Sequence, residues 1–300
     1  MFEELLKNCT LCPRNCKVNR LEGRQGYCGM DSTIRAARAA LHMWEEPCIS
    51  GEKGSGAVFF SGCGLRCSFC QNRDIAIGDS GKEITVERLA EIFLELQGKG
   101  AANLNLVTGA HYVPQIICAL ELARGKGLGL PVVYNSSGYE NVETIRMLEG
   151  YVDVYLPDLK YMEPGLAAAF SHAEDYPKVA QAAIEEMVRQ TGPCQFGEDG
   201  YIRRGTIVRH LILPGHTKNS IAVLKYLHQT YGEDIFISVM NQFTPVWKNE
   251  RYPELNRKVT RREYEKVLNA AVELGIENGY FQEGETAKES FIPAFDYEGV

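Results

Sequence analysis

Residues 62–72 read GCGLRCSFCQN, with cysteines at 63, 67 and 70. The spacing, C-x3-C-x2-C, offers three thiolates from a single loop, and three cannot by themselves close a tetrahedral or cubane metal site. One coordination position is left for another ligand. A [4Fe-4S] cluster held in this way keeps one iron open, whereas electron-transfer clusters usually take four cysteines. A structural zinc or ferredoxin-type site completed by a distant cysteine is the alternative reading of the same spacing.

The sequence around the loop changes texture at Val58, after which short apolar runs alternate with helical periodicity. Strands are predicted near 58–61, 103–107, 131–135, 152–157, 206–213 and 235–240, with a weaker one near 278–282. Between them Leu89, Ile92, Phe93 and Leu96 share one helical face, as do Ile145 and Leu148 on a helix opened by Asn141 and closed by Gly150. Asn219 is expected to open a further helix, and Thr260 with Glu263 forms a capping box for a last long one ending before Gly275. Repeated β-then-α units require right-handed crossovers and a parallel sheet. An open doubly wound sheet and a complete or partial barrel both satisfy that pattern. In either, ligands bind at the carboxyl ends of the strands. The cysteine loop follows the first of these strands, Thr108 to His111 the second, and Asn135 to Ser137 the third. Asp158 and Lys160 follow the fourth, Asn241 and Gln242 the sixth.

Three hundred residues with 45% hydrophobic content are enough for one sizeable core. The net charge is −7, and without a block of basic residues the chain has no electrostatic footprint for nucleic acid or an anionic membrane. No run reaches the roughly 18 apolar residues a membrane span needs, so a cytoplasmic protein is expected. Ten cysteines in a chain of this kind point to metal or redox chemistry rather than a disulfide framework.

At the cysteine loop the sequence resembles the radical S-adenosylmethionine (SAM) superfamily, and within it the pyruvate formate-lyase activating enzymes and their homologues. The resemblance rests on Phe69 before the last cysteine, on the preceding GSGAVFFSGC of residues 54–63 and on the trailing QNRD of 71–74. It extends over roughly residues 54 to 250, and CTLCPRNC at 9–16 followed by YCG at 27–29 looks like one branch of those homologues. It implies an α/β fold of the partial (β/α)6 type, with Cys63, Cys67 and Cys70 holding a [4Fe-4S] cluster. The amino and carboxylate groups of SAM would chelate the open iron, and one-electron cleavage would give a 5'-deoxyadenosyl radical. A flavodoxin- or ferredoxin-type reductant would supply the electron, and the activating enzymes imply a peptide or protein substrate, a glycyl radical enzyme among the candidates.

The resemblance also gives each strand end a role. Phe69 is expected beside the adenine. The relatives' Gly-Gly-Glu segment, which holds the SAM amino group, falls on Gly109, Ala110 and His111, so its carboxylate is absent here. The ribose contact falls on Asn135, with Ser136 and Ser137 beside it. PDLK at 157–160 matches the Asp-x-Lys motif, and period-two alternation puts Asp158 and Lys160 on one side. In VRHLILPG, at 208–215, Arg209 matches a strand arginine suited to the SAM carboxylate through a bidentate fork. Asn241, or Gln242 next to it, stands where activating enzymes carry a SAM-contacting histidine.

Cys9, Cys12, Cys16 and Cys28 can close a second metal site, either structural zinc or an auxiliary [4Fe-4S] cluster; spacing does not choose between them. Residues 1–50 are therefore expected to form a cysteine-rich extension, 51–283 the barrel and 284–300 a tail able to cover its opening. A short hairpin over Arg35 to Trp44 is expected to join the extension to the barrel. Two other readings stand beside peptide chemistry: a radical SAM enzyme acting on a small molecule, and a non-enzymatic iron–sulfur electron carrier. The second has no use for a barrel with polar strand ends.

Overall fold

In a computed structural model, which describes residues 2–282 and 293–300, ten strands share one sheet. They are β1 (Ile34–His42), β2 (Ser55–Phe60), β3 (Lys82–Ile84), β4 (Leu104–Val107), β5 (Val132–Ser136), β6 (Val154–Pro157), β7 (Gln195–Phe196), β8 (Ile202–Leu211), β9 (Phe236–Met240) and β10 (Gly279–Phe281). Their spatial order is β10-β9-β8-β6-β5-β4-β2-β1-β3, with β7 beside β8. From β2 through β10 every neighbouring pair on that path is parallel. Only β1, β3 and β7 run antiparallel to their partners. Residues of β1, β2, β4, β5, β8 and β9, with Asp158 just after β6, line one common cavity, so the sheet curls around it.

The central strands are buried at every position, which is why they read as continuous apolar runs rather than alternating ones. Helices cover the outer face. The helix Val86–Gly98 turns Leu89, Ile92, Phe93 and Leu96 inward against Val58, Leu104 and Leu106 of the sheet. Its first turn is fixed by Thr85, whose side chain accepts from the Arg88 N–H. A second core lies under Val208, Ile237 and Val239, closed by Val223, Leu224 and Leu227 of the helix Thr217–Tyr231. Among the described residues no helix is long and apolar enough to cross a membrane.

Two local expectations are corrected, and two helices are added. Asn219 does not open its helix: it sits inside Thr217–Tyr231, where its side chain accepts from Met162 N–H (2.9 Å) and donates to Lys160 O (2.9 Å). Tertiary partners thus outcompete the cap. Residues 35–44 do not fold back on themselves; β1 is one strand paired along β2 from Ala36 to His42, and the hairpin is β1 with β2. Between β6 and β8 the chain carries two helices that the strand pattern leaves unassigned, Pro164–Ser171 and Tyr176–Thr191.

Of the tail, 284–292 lie outside the described residues. Its end runs along β1: Tyr297 N–H donates to Ala37 O (3.1 Å) and Ala39 N–H to Glu298 O (2.8 Å). Arg38 pairs with Asp296 (2.7 Å) and with Glu298.

The expected capping box is present at Arg261–Leu274: Thr260 accepts from the Glu263 N–H, and the Glu263 carboxylate accepts from the Thr260 N–H (2.8 Å). Glu263 also accepts from Gly215 N–H (2.7 Å), tying the helix to the loop after β8. Thr260→Ala should lower stability by about 1 kcal/mol. The measurement is the urea midpoint at unchanged slope, and an unmoved midpoint would show that the box contributes nothing.

Candidate active site

The three-cysteine loop leaves β2 through Gly62, whose left-handed φ of +91° lets the chain reverse beside Met30 and Cys28. Inside the loop Arg66 is also left-handed, at φ +53°. Backbone bonds hold the turn in place, from Gly62 N–H to Ile75 O (2.7 Å), Ser68 N–H to Phe170 O (2.7 Å) and Cys70 N–H to Cys67 O (3.1 Å). The Ser171 hydroxyl donates to Cys67 Sγ (3.0 Å). Cys63, Cys67 and Cys70 consequently line the same cavity, of about 240 Å³. Phe69 lines it as well, its ring edge-on to Phe170 (6.4 Å) and tilted against Phe243 (6.0 Å).

Opposite the cysteines the strand ends supply charge. Lys160 Nζ donates to Asp158 Oδ2 (2.5 Å), and Arg209 Nε to Asp158 Oδ1 (3.2 Å). Arg209 reaches two further acceptors, Glu45 Oε2 from Nη1 (3.0 Å) and Asn135 Oδ1 from Nη2. Glu45 Oε1 in turn accepts from Asn105 and Asn135 (both 3.1 Å). Burial works against the Asp158 charge, but Lys160 and Arg209 beside it hold its carboxyl below the usual range. Burial likewise opposes the charge on Lys160, and Asp158 more than restores it. Asp158 and Lys160 are thus a partly buried pair rather than a surface one.

The tight spacing of β5 and β6 at this end depends on Gly138, at φ +77°, where a Cβ would lie 2.3 Å from Asp158 O. The Tyr176 hydroxyl donates here, with both Asp158 O and Ser137 O at 2.8 Å.

Most of the residues expected at the site line this cavity: the three cysteines, Phe69, Asn135, Ser137, Asp158, Lys160 and Arg209. Others stand apart. His111 is buried on a smaller neighbouring cavity, with Nε2 bonded to Ser61 O (2.7 Å), and burial beside Arg20 lowers its pKa to about 3. Gly109 packs against Ile116. Asn241 N–H donates to Gln282 (2.9 Å), and it is Gln242 that reaches the cavity. His42, Trp44 and Glu45 form its far wall. Sequence reading missed these three, because two adjacent acids before Pro47 carry no local signal that the segment lines the cavity. Burial, with Arg209 and Arg38 nearby, lowers the His42 pKa to about 4, so its imidazole is neutral at physiological pH.

Of the N-terminal cysteines, Cys12 and Cys28 lie beside this loop and share the smaller cavity with Cys63. Among the described residues no three His, Cys, Asp or Glu side chains converge as they would around a single ion.

A family model for the radical SAM superfamily matches residues 57–227, more than half of the chain. The chain belongs to the radical SAM superfamily. Membership implies a [4Fe-4S] cluster and SAM, and the donor set fits them: three thiols from one loop, facing polar strand ends across one cavity. A protein of Methanocaldococcus jannaschii, "Uncharacterized protein MJ0674", is 28% identical over 282 residues, covering 92% of this chain and 77% of its own. The pyruvate formate-lyase-activating enzyme of Clostridium pasteurianum is 33% identical over 111 residues, 35% of this chain and 45% of that protein. In fold the chain is similar to native anSMEcpe with bound AdoMet and Kp18Cys peptide, with a TM-score of 0.52 at 14% identity over 73% of this chain and 60% of that one.

Gly138→Ala should destabilise the protein by at least the roughly 1–2 kcal/mol of a left-handed non-glycine residue, with more from the overlap at Asp158 O. Thermal unfolding measures it, and an unchanged midpoint would mean that the approach of β5 to β6 is slack.

Proposed function

We propose that this radical SAM protein is an enzyme that abstracts hydrogen from a peptide or protein, in the manner of a glycyl-radical-enzyme activase. The observation that carries the reading is the single cavity with three cluster cysteines at one end and a partly buried Asp158–Lys160–Arg209 network at the other. When bound, the cluster and SAM supply a 5'-deoxyadenosyl radical; the protein's part is to orient and shield that chemistry.

Each residue has a positional task in this reading. Cys63, Cys67 and Cys70 hold the cluster. Phe69 offers an apolar face to the adenine, and Asn135 and Ser137 offer uncharged hydrogen bonds to the ribose. Arg209 uses three of the five N–H donors of a guanidinium on Asp158, Glu45 and Asn135, which leaves two for the SAM carboxylate. Asp158 and Lys160 hold that guanidinium in place. For the SAM amino group, Gly109 and His111 match the family segment by position. Thr108 is the better placed of the group, because it lines the main cavity while His111 Nε2 is already bonded to Ser61 O. By the same argument Gln242 takes the role expected of Asn241.

Support for a peptide substrate comes from the partial match to the activating enzyme and from exposed Trp44, an apolar side chain that lines the cavity with His42 and Glu45. Pro293 of the tail reaches the same cavity.

Reduced protein with SAM should release 5'-deoxyadenosine slowly, and the Cys63→Ala, Cys67→Ala, Cys70→Ala triple variant should not. Arg209→Ala or Asp158→Ala should weaken SAM binding by about ten- to a hundredfold, the ~1.5–3 kcal/mol of one charge-assisted hydrogen bond. Unchanged affinity in both would refute their roles. Incubated with reduced protein and SAM, a glycyl radical enzyme of the same genome should develop a glycyl EPR doublet. No doublet with any candidate, together with 5'-deoxyadenosine release stimulated by a small metabolite, would move the assignment to small-molecule chemistry. Failure to cleave SAM at all would leave an electron carrier.

A further inference from the structure

The last strand of the sheet contributes no residue to the cavity, yet it decides what one cavity residue can offer. β10 runs parallel to β9 with Phe281 opposite Val239, so Gln282 comes level with the chain that leaves β9 at Asn241 and Gln242. Its carbonyl accepts from the Tyr264 hydroxyl of the capped helix Arg261–Leu274. Its side chain makes two directed bonds: Oε1 accepts from Asn241 N–H (2.9 Å), and Nε2 donates to Gln242 Oε1 (3.3 Å). Gln242 lines the cavity, and Gln282 stands behind it.

An amide side chain can turn over, exchanging its oxygen for its nitrogen, and only its partners decide which way it points. Here the choice begins at a group that cannot turn over. A backbone N–H is a donor only, so Asn241 N–H requires Oε1 of Gln282 to face it. Nε2 of Gln282 is thereby directed at Gln242, which answers with Oε1. The amino group of Gln242 then points the other way, where it meets Met240 Sδ (3.6 Å), a weak acceptor. Met240 and Gln242 both line the cavity. The main chain is pinned separately, since Gln242 O accepts from Gln71 Nε2 (3.1 Å), just after the cysteine loop, and from Thr244 Oγ1 (3.3 Å). At this point the cavity therefore presents an N–H donor that the protein pairs only with a thioether.

The neighbouring residue indicates which part of a ligand meets that donor. Phe243 packs on Phe69 (6.0 Å), the ring that offers its face to adenine in the reading above. We propose that Gln282 is a positioning residue: acting through Gln242, it fixes a hydrogen-bond donor beside the adenine, and that donor reads an acceptor nitrogen of the purine ring. The inference rests on the radical SAM reading of the cavity. It gives a residue outside the cavity a part in choosing the ligand, because the polarity of the Gln242 amide is set from behind.

The test is calorimetric binding to anaerobically reconstituted protein of SAM and of its 1-deaza, 3-deaza and 7-deaza adenine analogues, each lacking one ring acceptor. Wild type should bind one of these analogues about tenfold more weakly than SAM, the effect of leaving one donor unpaired. Gln242→Ala should bind SAM and that analogue equally. Gln282→Glu isolates the positioning role, because its carboxylate still accepts from Asn241 N–H but has no donor for Gln242 Oε1, so the Gln242 amide is free to turn over. This variant should bind SAM about tenfold more weakly than wild type and lose the discrimination. Combined with Gln242→Ala it should cause no further loss, since both substitutions act through one amide. Equal affinity of wild type for all four ligands, or undiminished discrimination in Gln282→Glu, would overturn the proposal. Wild type that binds neither SAM nor any analogue would instead overturn the radical SAM reading of the cavity, so the two failures are distinct.

Discussion

The Arg209 guanidinium is the point at which the barrel is tied together. It sits on β8 and binds Asp158 after β6, Asn135 on β5 and Glu45 on the segment between β1 and β2. Lys160 shares Asp158 with it. A largely desolvated ionic network is costly to assemble, and this partly buried one keeps each charge paired and hydrogen-bonded. Removing one member leaves the others uncompensated, so the positions of three strand ends and of the segment that carries Glu45 are coupled through one side chain.

That coupling has a chemical consequence. The same guanidinium that fixes the strand ends faces the cavity lined by the three cysteines. Its orientation is set before any ligand arrives, and preorganised donors lose little freedom on binding. Glu45 adds a carboxylate on the far side, so charge in the cavity is balanced among Asp158, Glu45, Lys160 and Arg209.

The first fifty residues are joined to the barrel more deeply than an appendage needs to be. β1 extends the sheet next to β2, and the C-terminal residues 297–298 bond along β1. Arg14 and Arg20 carry the cysteine-bearing segment onto the loop and onto His111 O. Tyr27 packs between Arg14 (4.1 Å) and Arg66 (5.3 Å), so the cluster loop and the segment share a cation–π stack.

The chain's own order of residues determined the parallel β/α succession and the three-cysteine loop, since both depend on local spacing: apolar runs make buried strands, and C-x3-C-x2-C places its thiols within one turn. Asp158, Lys160 and Arg209 were legible through the resemblance of PDLK and VRHLILPG to family motifs, with alternation along an extended strand adding only that Asp158 and Lys160 share a face. The capping box at Thr260 was legible because both of its bonds close within four residues. Tertiary structure alone decided the rest. Asn219 surrendered its cap to Met162 and Lys160, which are distant in sequence. His111 turned to Ser61 and Gln242 took the cavity in place of Asn241, because a rim residue faces wherever the neighbouring strand offers a partner. Glu45 entered the site, and Cys12 and Cys28 came to flank Cys63, through contacts between segments far apart in the chain. Such contacts are fixed by how the sheet curls, and no local pattern encodes that curvature.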